Sequence, residues 1–276
     1  LQQYKSVVES FFPMAFFLRL VLLSIRQQVT YRTALISGLV TNFVFGLFRA
    51  ALVVALYQGR ETVNGMTVTD ALTYTAVAQA LIAFLFIFGT YDLMTSVITG
   101  AVAADLVRPA PLFLLWMGRD FGRGLVNFFA RGVVLLGVFA LFYPVRLPAT
   151  PLGWLSTLLA LLLAWLVSFA WRFLVNLASF WTPDARGIAR GAYTLSQLLC
   201  GFILPLRLFP DWFSSLCAAT PFPAMFSTSV EIYLGLLDGP QLLQALLTQA
   251  AWFAALALAC HLVLRAGVRR LVIQGG

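Results

Sequence analysis

The apolar residues of this chain fall into long, nearly unbroken runs separated by short polar or proline-containing segments. About 20 apolar residues in a helix cross the roughly 30 Å hydrocarbon core of a bilayer. Six runs meet that length approximately: 33–57, 71–96, 124–143, 152–178, 190–205 and 241–264. The fifth is the shortest, because Pro205 ends it. Residues 1–32 precede the spans as a cytoplasmic and interfacial segment. Within it "PMAFFLRLVLLSIRQQVTYR" (Pro13–Arg32) is apolar but carries Arg19 and Arg26 seven residues apart, on one helix face. That spacing predicts an amphipathic helix lying in the membrane interface; an additional, poor span is the alternative.

One stretch fits neither a span nor a solvated loop. "GFILPLRLFPDWFSSLCAATPFPAMFSTS" (Gly201–Ser229) is apolar and aromatic but contains Pro205, Pro210, Pro221 and Pro223. Interior prolines break helices. Backbone that is not helical survives at membrane depth only when buried in protein or facing a wet cavity. Residues 205–229 therefore read as one or two short re-entrant helices, with Phe209, Trp212 and Phe213 near the headgroups and Asp211 as a helix cap. A greasy loop packed on its own protein is the other reading.

Charge orients the chain. Lys5, Arg19, Arg26, Arg32, Arg108, Arg119, Arg123, Arg172, Arg186, Arg190, Arg265, Arg269 and Arg270 fall on one side of the six runs, and only Arg60, Arg146 and Arg207 on the other. Basic residues favour the cytoplasmic side. Both termini are therefore expected in the cytoplasm, with residues 205–229 outside. Because the sequence opens on Leu1, residues are expected to precede it, and no cleavable signal peptide is read at its start.

Composition agrees with a membrane domain and narrows the chemistry. The chain is 61% hydrophobic and 10% charged, against about 25% charged in soluble domains. The net charge of +8 is dispersed between apolar runs, so no nucleic-acid face is expected. One histidine, His261, cannot form a metal cluster, and Cys200, Cys217 and Cys260 have no zinc or disulfide spacing. The only lysine, Lys5, does not follow the glycine-rich loop that holds nucleotide phosphates, and no GxSxG elbow occurs. The ionisable residues within runs, Arg49, Asp92, Arg131 and Arg172, are expected to snorkel or pair. Asn42, Gln79, Asn127, Asn176, Ser196 and Gln197 are polar positions inside runs. They either line a path or hydrogen-bond between helices. Gly118 and Gly122, and Gly187 and Gly191, either allow close helix contact or serve turns and caps.

The connection between the second and third runs, Ser96–Gly124, is long for a bundle. It predicts a short helix starting at Thr99 or Gly100 and ending before Pro109. Here "ITGAVAADLVRP" (Ile98–Pro109) resembles the cytoplasmic loop of type-2 ABC exporter permeases, in their six-span bacterial subfamily. Three further stretches resemble that subfamily: Pro205, Phe209, Pro210 and Trp212, then Pro221, Phe222 and Met225, then "EIYLG" (Glu231–Gly235). "SFWTPDARGI" (Ser179–Ile188) fits its fourth cytoplasmic junction. A second proline, Pro111, is a local variation.

The resemblance implies an all-α integral membrane protein: six transmembrane helices, the N-terminal interfacial helix, a coupling helix after the second span and outer re-entrant helices between the fifth and sixth. It implies a permease subunit of the bacterial plasma (inner) membrane that pairs with a second six-span permease, identical or paralogous, amid membrane lipid. Separate P-loop ATPase subunits would drive it, so ATP and Mg would sit on the partner and no cofactor on this chain. Carried onto this sequence, Thr99, Gly100, Asp105, Leu106, Arg108 and Pro109 couple to the ATPase. Pro205, Phe209, Pro210, Trp212, Phe213, Pro221 and Phe222 form the outer gate. Asn42, Gln79, Asn127 and Gln197 are the path candidates. An ATP-independent secondary carrier or channel is the alternative function.

Overall fold

A computed structural model of the chain describes residues 13–29, 32–182 and 184–270. Apart from one hairpin, Thr62–Val63 with Met66–Thr67, its regular structure is helical. Residues 1–12 of the N-terminal segment lie outside the described residues.

Helix α1 spans Pro13–Val29 and α2 spans Arg32–Tyr57. After the hairpin, α3 runs Val68–Leu81, α4 Asp92–Ile98 and α5 Val102–Leu106. Helix α6 (Leu112–Asn127) continues through a π turn at Phe128–Gly132 into α7 (Val133–Phe142). Then come α8 (Pro151–Asn176), α9 (Arg186–Leu199), α10 (Asp211–Ala218), α11 (Phe222–Met225), α12 (Ser227–Tyr233) and α13 (Gly239–Val268). Among the described residues, four stretches are long and apolar enough to cross a membrane: Ser37–Tyr57, Leu112–Phe142, Pro151–Phe180 and Gly239–Val268.

Two expected runs are not continuous helices. The run over 71–96 forms α3, then turns through a left-handed Phe86 (φ 48°) and Gly89 (φ 81°) before α4. A side chain at Gly89 would collide with the Tyr193 ring, 2.1 Å from its Cβ position. The run over 190–205 starts earlier, at Arg186, and stops at Leu199, followed by a left-handed Gly201 (φ 79°). The third run also differs from the expected 124–143: its helix begins twelve residues earlier, at Leu112. The acids and bases within 112–123 hid that start from a hydropathy reading.

Helix α3 is the hub. It is buried from Asp70 to Leu81, with α2, α7 and α12 packed around it. Its start is sealed by a capping box: the Asp70 amide donates to Thr67 Oγ1, and the Thr67 amide donates to the Asp70 carboxylate, each at 3.1 Å. Arg146, in the α7–α8 connection, donates to Asp70 at 2.5 Å. Burial pushes the Asp70 carboxyl up, but the hydrogen bonds from Thr67 and Arg146 outweigh it, so its pKa lies below the ordinary value. This stabilisation is present above the unfolded carboxyl's pKa and is lost as pH falls through the lower folded one. Helix α8 begins with Thr150 accepting from the Gly153 amide at 3.0 Å and Pro151 in the first turn.

Helix α1 lies on α6. Its Leu20, Val21 and Ser24 are buried there, while Met14, Leu18, Leu22 and Leu23 stay uncovered by protein. Gly118 and Gly122 sit inside α6, not at a turn, and admit the α1 backbone. A Cβ at Gly122 would lie 2.5 Å from the Val21 carbonyl. Gly187 and Gly191, in α9, face open space. Gly122→Leu is expected to separate the two helices, raising amide hydrogen exchange of α1 at least about tenfold with α8 unchanged. Unchanged exchange in α1 would contradict this packing.

Candidate functional site

Both broken runs leave carbonyls without a helical partner, and groups of neighbouring helices bond to several of them. At the α3 break, Ser168 donates to the Leu85 carbonyl at 2.6 Å. Asn176 and Tyr193 donate to the Thr90 carbonyl at 2.8 and 2.9 Å. At the α9 break, the Ser227 amide donates to the Cys200 carbonyl, and the Tyr74 hydroxyl to Gly201 at 2.9 Å. Arg49, from α2, donates to Phe202 and Ile203 carbonyls and lies over the Phe202 ring. The irregular backbone is thus tied to α8 and α9 at the first break and to α2, α3 and α12 at the second. Arg49→Leu removes two charge-assisted bonds, each contributing about 1.5–3 kcal/mol. A loss of about 3 kcal/mol is expected, read as thermal stability in mild detergent. A loss below about 0.5 kcal/mol would show that the carbonyls find other donors.

The first end of the molecule carries α4 and α5. The expected short helix is present, but as Val102–Leu106, after Thr99 caps α4 and Gly100 turns the chain with φ 75°. Three side-chain links hold this segment to the spans. Asp105 is buried and takes two bonds from Arg119 of α6, at 2.8 and 2.9 Å. Asp92 pairs with Arg123, one turn further along α6. Asn176 of α8 accepts from the Met94 amide at 2.9 Å. The outward surface is Ile98–Ala101, Ala104 and Val107–Pro109, with Val107 83% exposed. Arg108 is exposed, 3.5 Å from Asp105. Leu106 is half-buried against the core, so it supports the helix and is not its most prominent apolar group. Val107 is that group, and motif matching alone missed it.

Behind the same segment lies a buried ion pair. Arg172 of α8 donates to both oxygens of Asp120 at 2.6 and 2.9 Å, Trp165 adds a bond at 3.0 Å, and Arg172 stacks on Phe86. Both side chains are almost wholly enclosed. Arg172 therefore neither snorkels nor faces solvent; it is paired. Asp120 escaped notice because its segment reads as loop.

The path candidates only partly converge. Asn42 and Asn127 line a cavity of about 170 Å³ with Phe86, Phe88 and Arg131. Arg131 lies in the π turn, its guanidinium filling the space above Gly38 of α2. Gln79 sits further along α3, its amide set between the Asn42 carbonyl (3.3 Å) and Arg49 (3.2 Å). Together Arg131, Asn127, Asn42, Gln79 and Arg49 make a polar seam between α2 on one side and α3, the end of α6 and the π turn on the other. Asn42 Nδ2, Arg49 Nε and Arg131 Nε have no partner among the described residues. Gln197 is half-buried on α9 and does not line this cavity. Asn176 and Ser196 are accounted for by hydrogen bonds within the protein.

At the opposite end, the proline-rich stretch folds as a 3-10 turn at Leu206–Leu208 and then α10, α11 and α12. Pro205 opens the 3-10 turn and Pro221 opens α11. Pro210 occupies the α10 cap and Asp211 is its first residue, with no side-chain cap bond, because proline already fixes the entry. Phe209 packs on Phe213 (4.8 Å between centroids), and Phe222 is buried against Trp171. Trp212 is 70% exposed. Ser229 and Gln249 both donate to the Ala160 carbonyl, at 2.9 and 3.2 Å. Ala160 lies nine residues into α8, roughly 14 Å from its start, so α12 reaches deep along that span. Arg207 pairs with Glu231 at 2.9 Å beside a cavity of about 520 Å³ that Gln241, Gln244, Thr248 and Trp252 also line.

Among the described residues, no three His, Cys, Asp or Glu side chains converge as metal ligands would. A family model described as ABC-2 family transporter protein matches residues 43–275. No curated protein and no solved structure matches the chain.

Proposed function

We infer the function from one premise: the chain belongs to the ABC-2 family of transporter proteins. It is a multi-pass membrane protein and a transport subunit of an ABC transporter, whose ATPase activity resides on separate subunits. Beyond that, we propose an exporter permease of a bacterial plasma membrane, paired with a second permease and bound through α5 to a P-loop ATPase carrying ATP and Mg. The observation that carries this reading is the mounting of α5. An exposed two-turn surface is clamped to α6 by Asp105–Arg119 and Asp92–Arg123 and to α8 through Asn176. Force on Val107 and Arg108 would move two spans together. Nucleotide shifts the spans only if it binds one arrangement better than the other.

In this reading α3–α4 and α9 with its following turn complete six crossings, with both termini cytoplasmic. Support comes from the ion pairs along α3–α4: Asp70 pairs with Arg146 near the start of α3 and Asp92 with Arg123 at the start of α4. The depth that α12 reaches beside Ala160 supports a re-entrant outer gate, with Trp212 at its headgroup edge. The polar seam behind α2 would border the path. Purification from native membranes in mild detergent should bring a stoichiometric P-loop ATPase and a six-span partner or second copy. A chain that purifies alone and transports in vesicles without ATP would establish the secondary-carrier alternative instead.

A further inference from the structure

A groove of about 630 Å³ opens between the first turn of α6 and the last three turns of α13. Its floor is apolar: Phe113 and Leu114 from α6, Cys260 and Leu264 from α13. Its rim is basic. His261, Arg265 and Arg269 recur at every fourth residue, a spacing that puts them on one face of α13, and all three line the groove. All three are exposed, and among the described residues their side chains form no hydrogen bond or ion pair. Among the described residues no carboxylate lines the groove, and no side chain caps the start of α6 beside it.

The depth of this rim is set by the helix itself. Leu258 and Leu262 are exposed apolar residues of α13, and Arg265 and Arg269 follow them within two turns. The change from lipid-facing leucine to arginine marks the headgroup level. A groove of this size is in the range that encloses a small ligand. Paired arginines at its mouth match a phosphate group, which guanidinium binds in bidentate fashion. Basic pockets between transmembrane helices hold anionic headgroups.

We propose that this groove is a binding site for an anionic phospholipid, its phosphate between Arg265 and Arg269 and one acyl chain along Phe113, Leu114 and Leu264. The site lies apart from the α2 seam and the outer cavity, and it does not rest on the transport reading. A lipid here bridges α6, which carries both arginines that clamp the coupling segment, to α13.

The test uses the full chain in nanodiscs of phosphatidylglycerol mixed equally with phosphatidylcholine, followed by native mass spectrometry of lipid retained after mild detergent extraction. Wild type should retain phosphatidylglycerol in preference. Arg265→Ala with Arg269→Ala should lower retention about tenfold. Ala257→Trp, which fills the groove without changing charge, should lower it equally, while Arg270→Ala, outside the groove, should not. Inorganic phosphate at tens of millimolar should leave the lipid in place. Equal retention of both lipids, wild-type retention by Ala257→Trp, or displacement by phosphate alone would each overturn the proposal. The last would make the rim a free-anion site.

Discussion

Arg172→Met is expected to be among the most destabilising single substitutions in the chain. It strands the Asp120 carboxylate in an enclosed site with only the Trp165 indole as donor. Breaking a buried pair by removing one partner costs about 3–5 kcal/mol. At roughly 2–4 °C per kcal/mol for a chain of this size, the midpoint of thermal aggregation in detergent should fall by about 10 °C. The sharper test is the rescue. Arg172→Met combined with Asp120→Leu removes both charges, and replacing a buried pair by apolar residues is often neutral. The double variant should recover most of the loss. A single variant within about 1 kcal/mol of wild type, or a double variant worse than the single, would show that the pair does not act as a unit.

Val107→Asp is expected to release the ATPase subunit while leaving the fold intact. Val107 is the most exposed apolar residue on the α5 surface, so its replacement should change stability by no more than about 0.5 kcal/mol. A carboxylate placed in an apolar contact should nevertheless weaken docking at least tenfold, which is about 1.4 kcal/mol. The readout is the amount of ATPase subunit retained on purification. Leu106→Asp does not separate the two effects, because Leu106 packs against the core. Arg108→Glu should give a smaller loss: it replaces the arginine that lies 3.5 Å from Asp105 by a second acid on the same helix face, and the Asp105 pairing with Arg119 holds the segment in place. Full retention of the ATPase with Val107→Asp would place the dock elsewhere.

The long apolar runs were legible because hydropathy alone sets them: α2, α8 and α13 lie close to their expected limits. The Ile98–Pro109 pattern and the two-residue brake of Arg108–Pro109 located a short helix within a few residues. What escaped was whatever depends on partners distant in sequence. Asp120 looked like loop chemistry until α8 brought Arg172 to it. Tyr193 and Gly89 are unremarkable in sequence, yet their contact fixes the break after α3. The run over 190–205 looked merely short. Its true end at Leu199 is held by Arg49 and Tyr74 from more than 100 residues away. Arg49 itself could be identified only as a residue needing a partner. The continuous α6–α7 helix was hidden because Arg119, Asp120 and Arg123 lower local hydropathy, although each is neutralised by an ion pair in the fold. Gln197 shared its polarity with the true cavity residues, and nothing in the sequence told them apart.

The central claim is that a separate ATPase sits on the α5 surface. Site-directed photo-crosslinking in native membranes tests it directly, with the reactive group placed at Val107 in one strain and at Trp212, at the opposite end, in another. The account predicts an adduct with a P-loop ATPase from Val107 and none from Trp212. No ATPase adduct from Val107, or one from Trp212, would contradict it.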